Sequence, residues 1–79
     1  MYTVYVLQSD DKRLYKGFTN NLDRRLEEHK NKTVKTTRNF INIQVIYTEQ
    51  CQDRISARKR EKYLKSSAGR RYLKNILQS

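Results

Sequence analysis

Proline and tryptophan are absent from this 79-residue chain, glycine occurs twice and cysteine once. Without proline, no element end is set by a locked φ, so boundaries must rest on capping side chains and on glycine. The lone cysteine, Cys51, excludes an internal disulfide framework and any multi-cysteine zinc site; its plain reading is a small, half-buried residue near a strand end. No apolar run reaches the length of a membrane span and nothing resembles a signal peptide, so a soluble, cytoplasmic protein is expected. The length predicts one domain over residues 1–79, with room for one core. Acidic residues are the other scarcity. Eight Asp and Glu against 18 Lys and Arg leave a formal net charge of +10. A field of that sign favours polyanions, through release of counterions from phosphates. An acidic membrane would call for a long amphipathic helix with a wide apolar face, which the chain does not contain. Nucleic acid is the expected partner, and no membrane.

What is present reads as alternating short elements. Tyr2 to Gln8 is dense in β-branched and aromatic residues on both alternating faces, which predicts a central strand covered on each side. Ser9 to Arg13 is polar and turn-forming, and Leu14 to Phe18 follows as the second strand of a hairpin. Tyr5 and Tyr15 then lie on adjacent strands. Cross-strand packing explains the pair without excluding a second role for the hydroxyls. Thr19, Asn20 and Asn21 are helix-capping types, and Asp23 suits the first turn that follows. Leu22, Leu26 and His29 fall at i, i+4 and i+7, with Arg25 at i+3. An arginine and a histidine therefore share the leucine face of this helix, which makes them candidates for a site between helix and sheet. The alternative is that Arg25 snorkels and His29 packs at the rim. Lys30 to Asn42 reads as a polar loop, whose Lys30, Lys32, Lys35 and Arg38 among threonines suit solvent or phosphate. Ile43 to Glu49 is the third strand. From Asp53 onward the chain looks helical, capped by Asp53 or Ser56. It is broken at Ser66, Ser67 and Gly69, and continues through Tyr72, Leu73, Ile76 and Leu77.

One carboxylate stands out. From Arg54 to Ser79 there are nine basic residues, and Glu61 is the only acid. It lies four residues after Ala57 and three before Leu64, on the less polar stripe of its helix. A surface ion pair with Arg58, Lys62 or Lys65 is one reading. The other is an inward carboxylate facing the tyrosine- and arginine-bearing sheet, as a hard divalent cation requires.

Taken together, these residues resemble the GIY-YIG endonuclease superfamily, specifically its small single-domain members. Val4-Tyr5-Val6 stands where that family has its first motif and Tyr15-Lys16-Gly17 where it has the second. Gly17 to His29 looks like the turn and helix that follow, and Ala57 to Lys65 is similar to the acidic helix. The resemblance implies an α/β (α+β) fold, a small three-stranded and mainly antiparallel sheet flanked by helices. It implies metal-dependent hydrolysis of DNA phosphodiester bonds, with magnesium as the usual ion and manganese as the alternative. Tyr5 and Tyr15 match the paired tyrosines, Arg25 the helix arginine, His29 the polar residue one turn later, and Glu61 the metal-binding carboxylate. The tyrosine that relays a proton would need its phenol lowered from ~10 by nearby cations. Tyr15 is the favoured base and Tyr5 the residue that orients water. Lys16, Lys35, Arg38, Arg58 and Lys65 are the candidates for contacts to DNA, with branched or single-stranded forms as the expected substrates. Two departures are plain: Val4 replaces the glycine of the first motif, and Lys16 replaces an apolar residue in the second. Asn75 stands where larger members often carry a supporting asparagine. The rival readings are a catalytically weak or inactive nucleic-acid-binding module of the same fold and a basic scaffold acting through a protein partner.

Overall fold

The densest β-forming run becomes the middle of the sheet. In this computed structural model, which describes residues 1–77, strand β1 is Tyr2–Gln8, and all of Val4 to Leu7 are buried. Strand β2 (Leu14–Thr19) pairs with it on one side and β3 (Gln44–Cys51) on the other, both antiparallel, giving the order β2-β1-β3. A bulge in the β1–β3 pairing lies between Val6 and Leu7. The expected third strand thus starts one residue later and ends two residues later, because Cys51 still pairs with Tyr2. Three helices complete the α+β fold: α1 (Leu22–Lys30), α2 (Arg54–Lys65) and α3 (Ser67–Leu77).

With no proline to end them, the helices are closed by side chains. The Asn21 side chain accepts the Arg24 amide at 3.1 Å to start α1. Asp53, rather than Ser56, caps α2 by accepting the Ser56 amide at 2.8 Å. Ser66 serves two helices, because its hydroxyl donates to the Tyr63 carbonyl and accepts the Gly69 amide. A side chain at Gly69 would collide with the Tyr63 carbonyl, so glycine is what lets α3 turn back so tightly on α2.

Strand alternation sends Val4 and Val6 to one face of the sheet, where they form a core with Ala57, Leu64 and Leu73. Tyr2, Phe18, Ile46, Tyr47, Cys51 and Tyr72 pack around it, so Cys51 has the half-buried strand-end position expected of it. A polar cluster ties β3 to α2 and α3 on the same side. Glu49 accepts hydrogen bonds from Arg60 (3.0 Å) and from Tyr47, and the Arg60 guanidinium lies over the rings of Tyr63 and Tyr72. Burial, with help from Glu49, pushes the Tyr47 phenol well up.

The segment after α1 is a largely exposed loop, but it is pinned to the hairpin. Ser9 and Ile41 exchange hydrogen bonds, the Asp10 amide donates to the Ile41 carbonyl at 2.7 Å, and Arg13 donates to the Asn39 carbonyl at 2.7 Å while lying over Phe40. Phe40 and Thr37 are buried in consequence. Lys32 adopts φ 61 just past the end of α1, and its ammonium donates to the carbonyls of Arg38 and Phe40. It therefore braces this segment, and is not a free phosphate ligand.

Candidate active site

The face of the sheet opposite the apolar core carries tyrosines. Tyr5 pairs across the ladder with Gly17, and Leu7 with Tyr15, so both rings lie on this side, 6.1 Å apart between centroids. Glycine is required here by close approach. A Cβ at position 17 would stand 2.8 Å from the Tyr5 hydroxyl oxygen and 2.9 Å from Cε2 of Tyr15.

Helix α1 delivers His29 into the same place, fully buried, its ring 4.9 Å from that of Tyr15. Its Nε2 lies 3.0 Å from the Tyr5 hydroxyl and its Nδ1 2.6 Å from Oγ1 of buried Thr37. Burial, reinforced by the positive charge of Arg25, holds the imidazole below its ordinary value and hence neutral at physiological pH. One nitrogen of a neutral ring donates and the other accepts, so Tyr5 and Thr37 take opposite roles. Burial also pushes the Tyr5 phenol up to about 12, overcoming the opposing pull of Arg25. Burial outweighs the cation here, so Tyr5 does not meet the condition of a lowered phenol that a proton-relaying tyrosine needs. Tyr5 is thus a protonated phenol, and when it donates to Nε2 it makes Nδ1–H the donor to Thr37.

Arg25 forms the outer wall. Its Nη1 meets Oε1 of Glu28 at 2.8 Å, and that carboxylate, with the hydroxyls of Tyr5 and Tyr15, holds the guanidinium firmly charged. Four of the five expected site residues, Tyr5, Tyr15, Arg25 and His29, are therefore one group.

Glu61 is placed differently. Helix α2 packs against the Val4–Val6 face, so the carboxylate does not face the tyrosines and Arg25 directly as the stripe argument implied. It is 17 % exposed and pairs with Lys65 at 3.4 Å, and no hydrogen bond or ion pair joins it to the tyrosine group among the described residues. Tyr15 opens on a cleft of about 530 Å³ along the open edge of β2, lined by Leu14, Tyr15, Lys16, Thr36, Lys65 and Arg70; Lys65, the partner of Glu61, reaches this cleft, but Glu61 is not among its lining residues. Lys16 alternates away from Tyr15 on the strand. Partial burial, then repulsion from Arg70 and Lys65, lowers its ammonium. Of the expected DNA contacts, Lys16 and Lys65 line this cleft, whereas Lys35, Arg38 and Arg58 are exposed elsewhere on the loop and on α2. Asn75 is exposed on α3 with no described hydrogen bond to the tyrosine group.

A metal must be judged against these donors. Among the described residues, no three His, Cys, Asp or Glu side chains gather where they could hold an ion. A cation coordinated wholly by protein does not fit. Magnesium, which keeps several waters and takes one carboxylate together with substrate phosphate, does fit Glu61. Two residues escaped the sequence reading, Thr37 and Arg70. Thr37 is one hydroxyl in a threonine-rich segment without periodicity, and Arg70 stands in a run of cations, so neither carries a distinguishing mark.

A hairpin with diagonally packed tyrosines is followed by a helix bearing arginine and histidine, and family membership gives this arrangement its class. The chain belongs to the GIY-YIG catalytic domain family, which it matches over residues 1–74. That family is one of nuclease domains, generally dependent on divalent metals and acting on nucleic acid. More particularly, the chain is 41 % identical over 64 residues to a UPF0213 protein of Desulfotalea psychrophila, covering 78 % of this chain and 58 % of that one. It is 42 % identical over 48 residues to a UPF0213 protein of Autographa californica nuclear polyhedrosis virus, covering 60 % of this chain and 46 % of that one. The matches span about half the length of those two relatives. The solution NMR structure of a UPF0213 protein from Bacillus halodurans has the same fold, with a TM-score of 0.59 at 28 % identity over 96 % of this chain and 85 % of that one.

Proposed function

We propose that this chain is a metal-dependent endonuclease that hydrolyses DNA phosphodiester bonds, directed by DNA structure and not by base sequence. The observation that carries the reading is the gathering of Tyr5, Tyr15, Arg25 and His29 beside a cleft lined by Lys16, Lys65 and Arg70. Tyr15 is half-buried and opens on the cleft, and as the phenolate it accepts the proton of the attacking water. Tyr5 is held in place by its hydrogen bond to His29, which Thr37 braces in turn, and it fixes Tyr15 and Arg25 beside that water. The water oxygen bonds to phosphorus, the bond to the leaving sugar oxygen breaks, and Arg25 neutralises the charge that builds on the phosphoryl oxygens. A divalent ion on Glu61 would supply Lewis-acid polarisation of the phosphate and stabilise the leaving oxygen. Lysine and arginine contacts to phosphate position a strand but carry no sequence information, hence the reliance on shape.

The test is incubation of branched, flapped, single-stranded and plain duplex DNA with magnesium or manganese, beside an Arg25→Ala control. Cleavage that depends on metal and on Arg25 is expected; no cleavage of any form would sink the enzyme reading. The second reading, a binding module of the same fold, is favoured by the engagement of Glu61 with Lys65. Its signature is DNA binding without turnover.

A further inference from the structure

A second depression adjoins the cleft and has the opposite chemistry. About 280 Å³ in volume, it is floored by Leu14, Ile46, Leu73 and Leu77 and rimmed by Lys16, Arg70 and Lys74. Leu14, Lys16 and Arg70 belong to both spaces, so the groove continues the cleft past the edge of β2. Its apolar floor is open to solvent, with Leu14 38 % and Leu77 42 % exposed. Among the described residues, no acid lines this groove. Among the described residues, the side chains of Lys16, Arg70 and Lys74 make no ion pair, although they stand together. Three unpaired cations around an aliphatic slot complement a ligand that is anionic at its edge and flat and apolar at its centre. A nucleotide has that character. Duplex DNA does not offer it, because its bases are stacked away from the phosphates. The volume lies at the small end of ligand clefts, about 300 Å³, which admits one base and no helix.

We propose that this groove receives one unstacked nucleobase of the DNA strand, held against the exposed Leu14 and Leu77, with its flanking phosphates on Lys16, Arg70 and Lys74. The proposal rests on the nucleic-acid reading above and narrows it: the substrate presents an unpaired or extruded nucleotide next to the phosphate in the cleft. Extrusion costs least where the strand is already single, at flaps, gaps and ends.

The test separates binding from cleavage. Affinity is measured without metal for a labelled single-stranded oligonucleotide and for an abasic oligonucleotide of equal length and charge. Removal of the bases should weaken wild-type binding about tenfold, the scale of re-exposing one base face's worth of apolar area. Leu77→Asn and, independently, Leu14→Asn should bring the ratio close to one while leaving the salt dependence intact, and circular dichroism checks that each is folded. Lys74→Ala should weaken both oligonucleotides alike and reduce the salt slope by about one. Equal wild-type affinity for the two oligonucleotides would overturn the proposal. So would a ratio that survives both leucine changes, or a concentration-dependent dimer that both changes abolish, since a second copy would then be the occupant. Cleavage with magnesium is scored separately: a base-dependent ratio without cleavage sinks the nuclease and leaves the groove, and cleavage without the ratio does the reverse.

Discussion

The two faces of one sheet are built on different terms. On the α2–α3 side, Val4, Val6, Ala57, Leu64 and Leu73 are almost wholly buried and hydrocarbon meets hydrocarbon. On the α1 side, Leu7 is buried as well, but beside it runs a polar chain of Tyr5, His29 and Thr37, each satisfied by the next. Apolar burial stabilises in proportion to area and tolerates small shifts. A buried polar chain stabilises little in net terms and is costly to break, because each partner left alone loses its solvation as well. One face therefore holds the fold, and the other holds a geometry. The shared strand β1 lets a small domain do both, through alternate residues.

The comparison can be broken from either side, and the apolar side should show the largest effect on stability. Leu73→Ala or Leu64→Ala should destabilise the domain by about 2–5 kcal/mol, measured by urea unfolding. That is a large share of the few kcal/mol expected for a domain of this size. A loss below about 1 kcal/mol would mean that the core is elsewhere. On the other face, Arg25→Ala should lower turnover by the equivalent of about 3 kcal/mol with the unfolding midpoint little changed. Equal loss of stability and activity would make Arg25 a packing residue. Gly17→Ala should act in between, since its methyl group would displace the Tyr5 hydroxyl or the Tyr15 ring. We expect about 1–3 kcal/mol of destabilisation and a fall in turnover greater than the same loss causes in Leu73→Ala.

The smallest effect is a pH dependence. His29 is held below its ordinary value of 6.5, mainly by burial and then by Arg25. The unfolded chain therefore takes up a proton before the native one does as pH falls. Stability from this group is full above about pH 6.5. It declines as the pH drops towards the lower native value, at up to about 1.4 kcal/mol per pH unit. Thermal unfolding between pH 7.5 and 5 should show this slope, and His29→Gln should flatten it. An unchanged slope in the variant would place the titrating group elsewhere.

How much could be seen beforehand follows the same division. The apolar face was legible because it is periodic: β1, the hairpin, the capped helices and the burial of Ala57 and Leu64 follow from spacing and residue type. The tyrosine, arginine and histidine positions were legible through alternation on the hairpin and the i, i+3, i+7 face of α1. Thr37 was not, because its role depends on a loop pinned by Arg13, Ser9 and Asp10, contacts across about thirty residues that no local pattern encodes. Nor was the raised phenol of Tyr5, because burial, which outweighs a nearby cation, is a property of the assembled fold. The pair of Glu61 with Lys65 was among the partners legible from helical spacing, whereas its place on the face opposite the tyrosines depends on how α2 packs on the sheet.

That carboxylate offers the most direct trial. Its pair with Lys65, 55 % exposed at the lysine, is of the kind worth roughly 0–1 kcal/mol, so Glu61→Gln should barely alter folding. DNA binding should be unchanged or slightly tighter, because one repulsion with phosphate is removed. Measured on one branched substrate across a magnesium titration, we expect the variant to bind and fail to cut while the parent cuts. A variant that cuts as well as the parent at every magnesium concentration would contradict the assignment of the metal to Glu61.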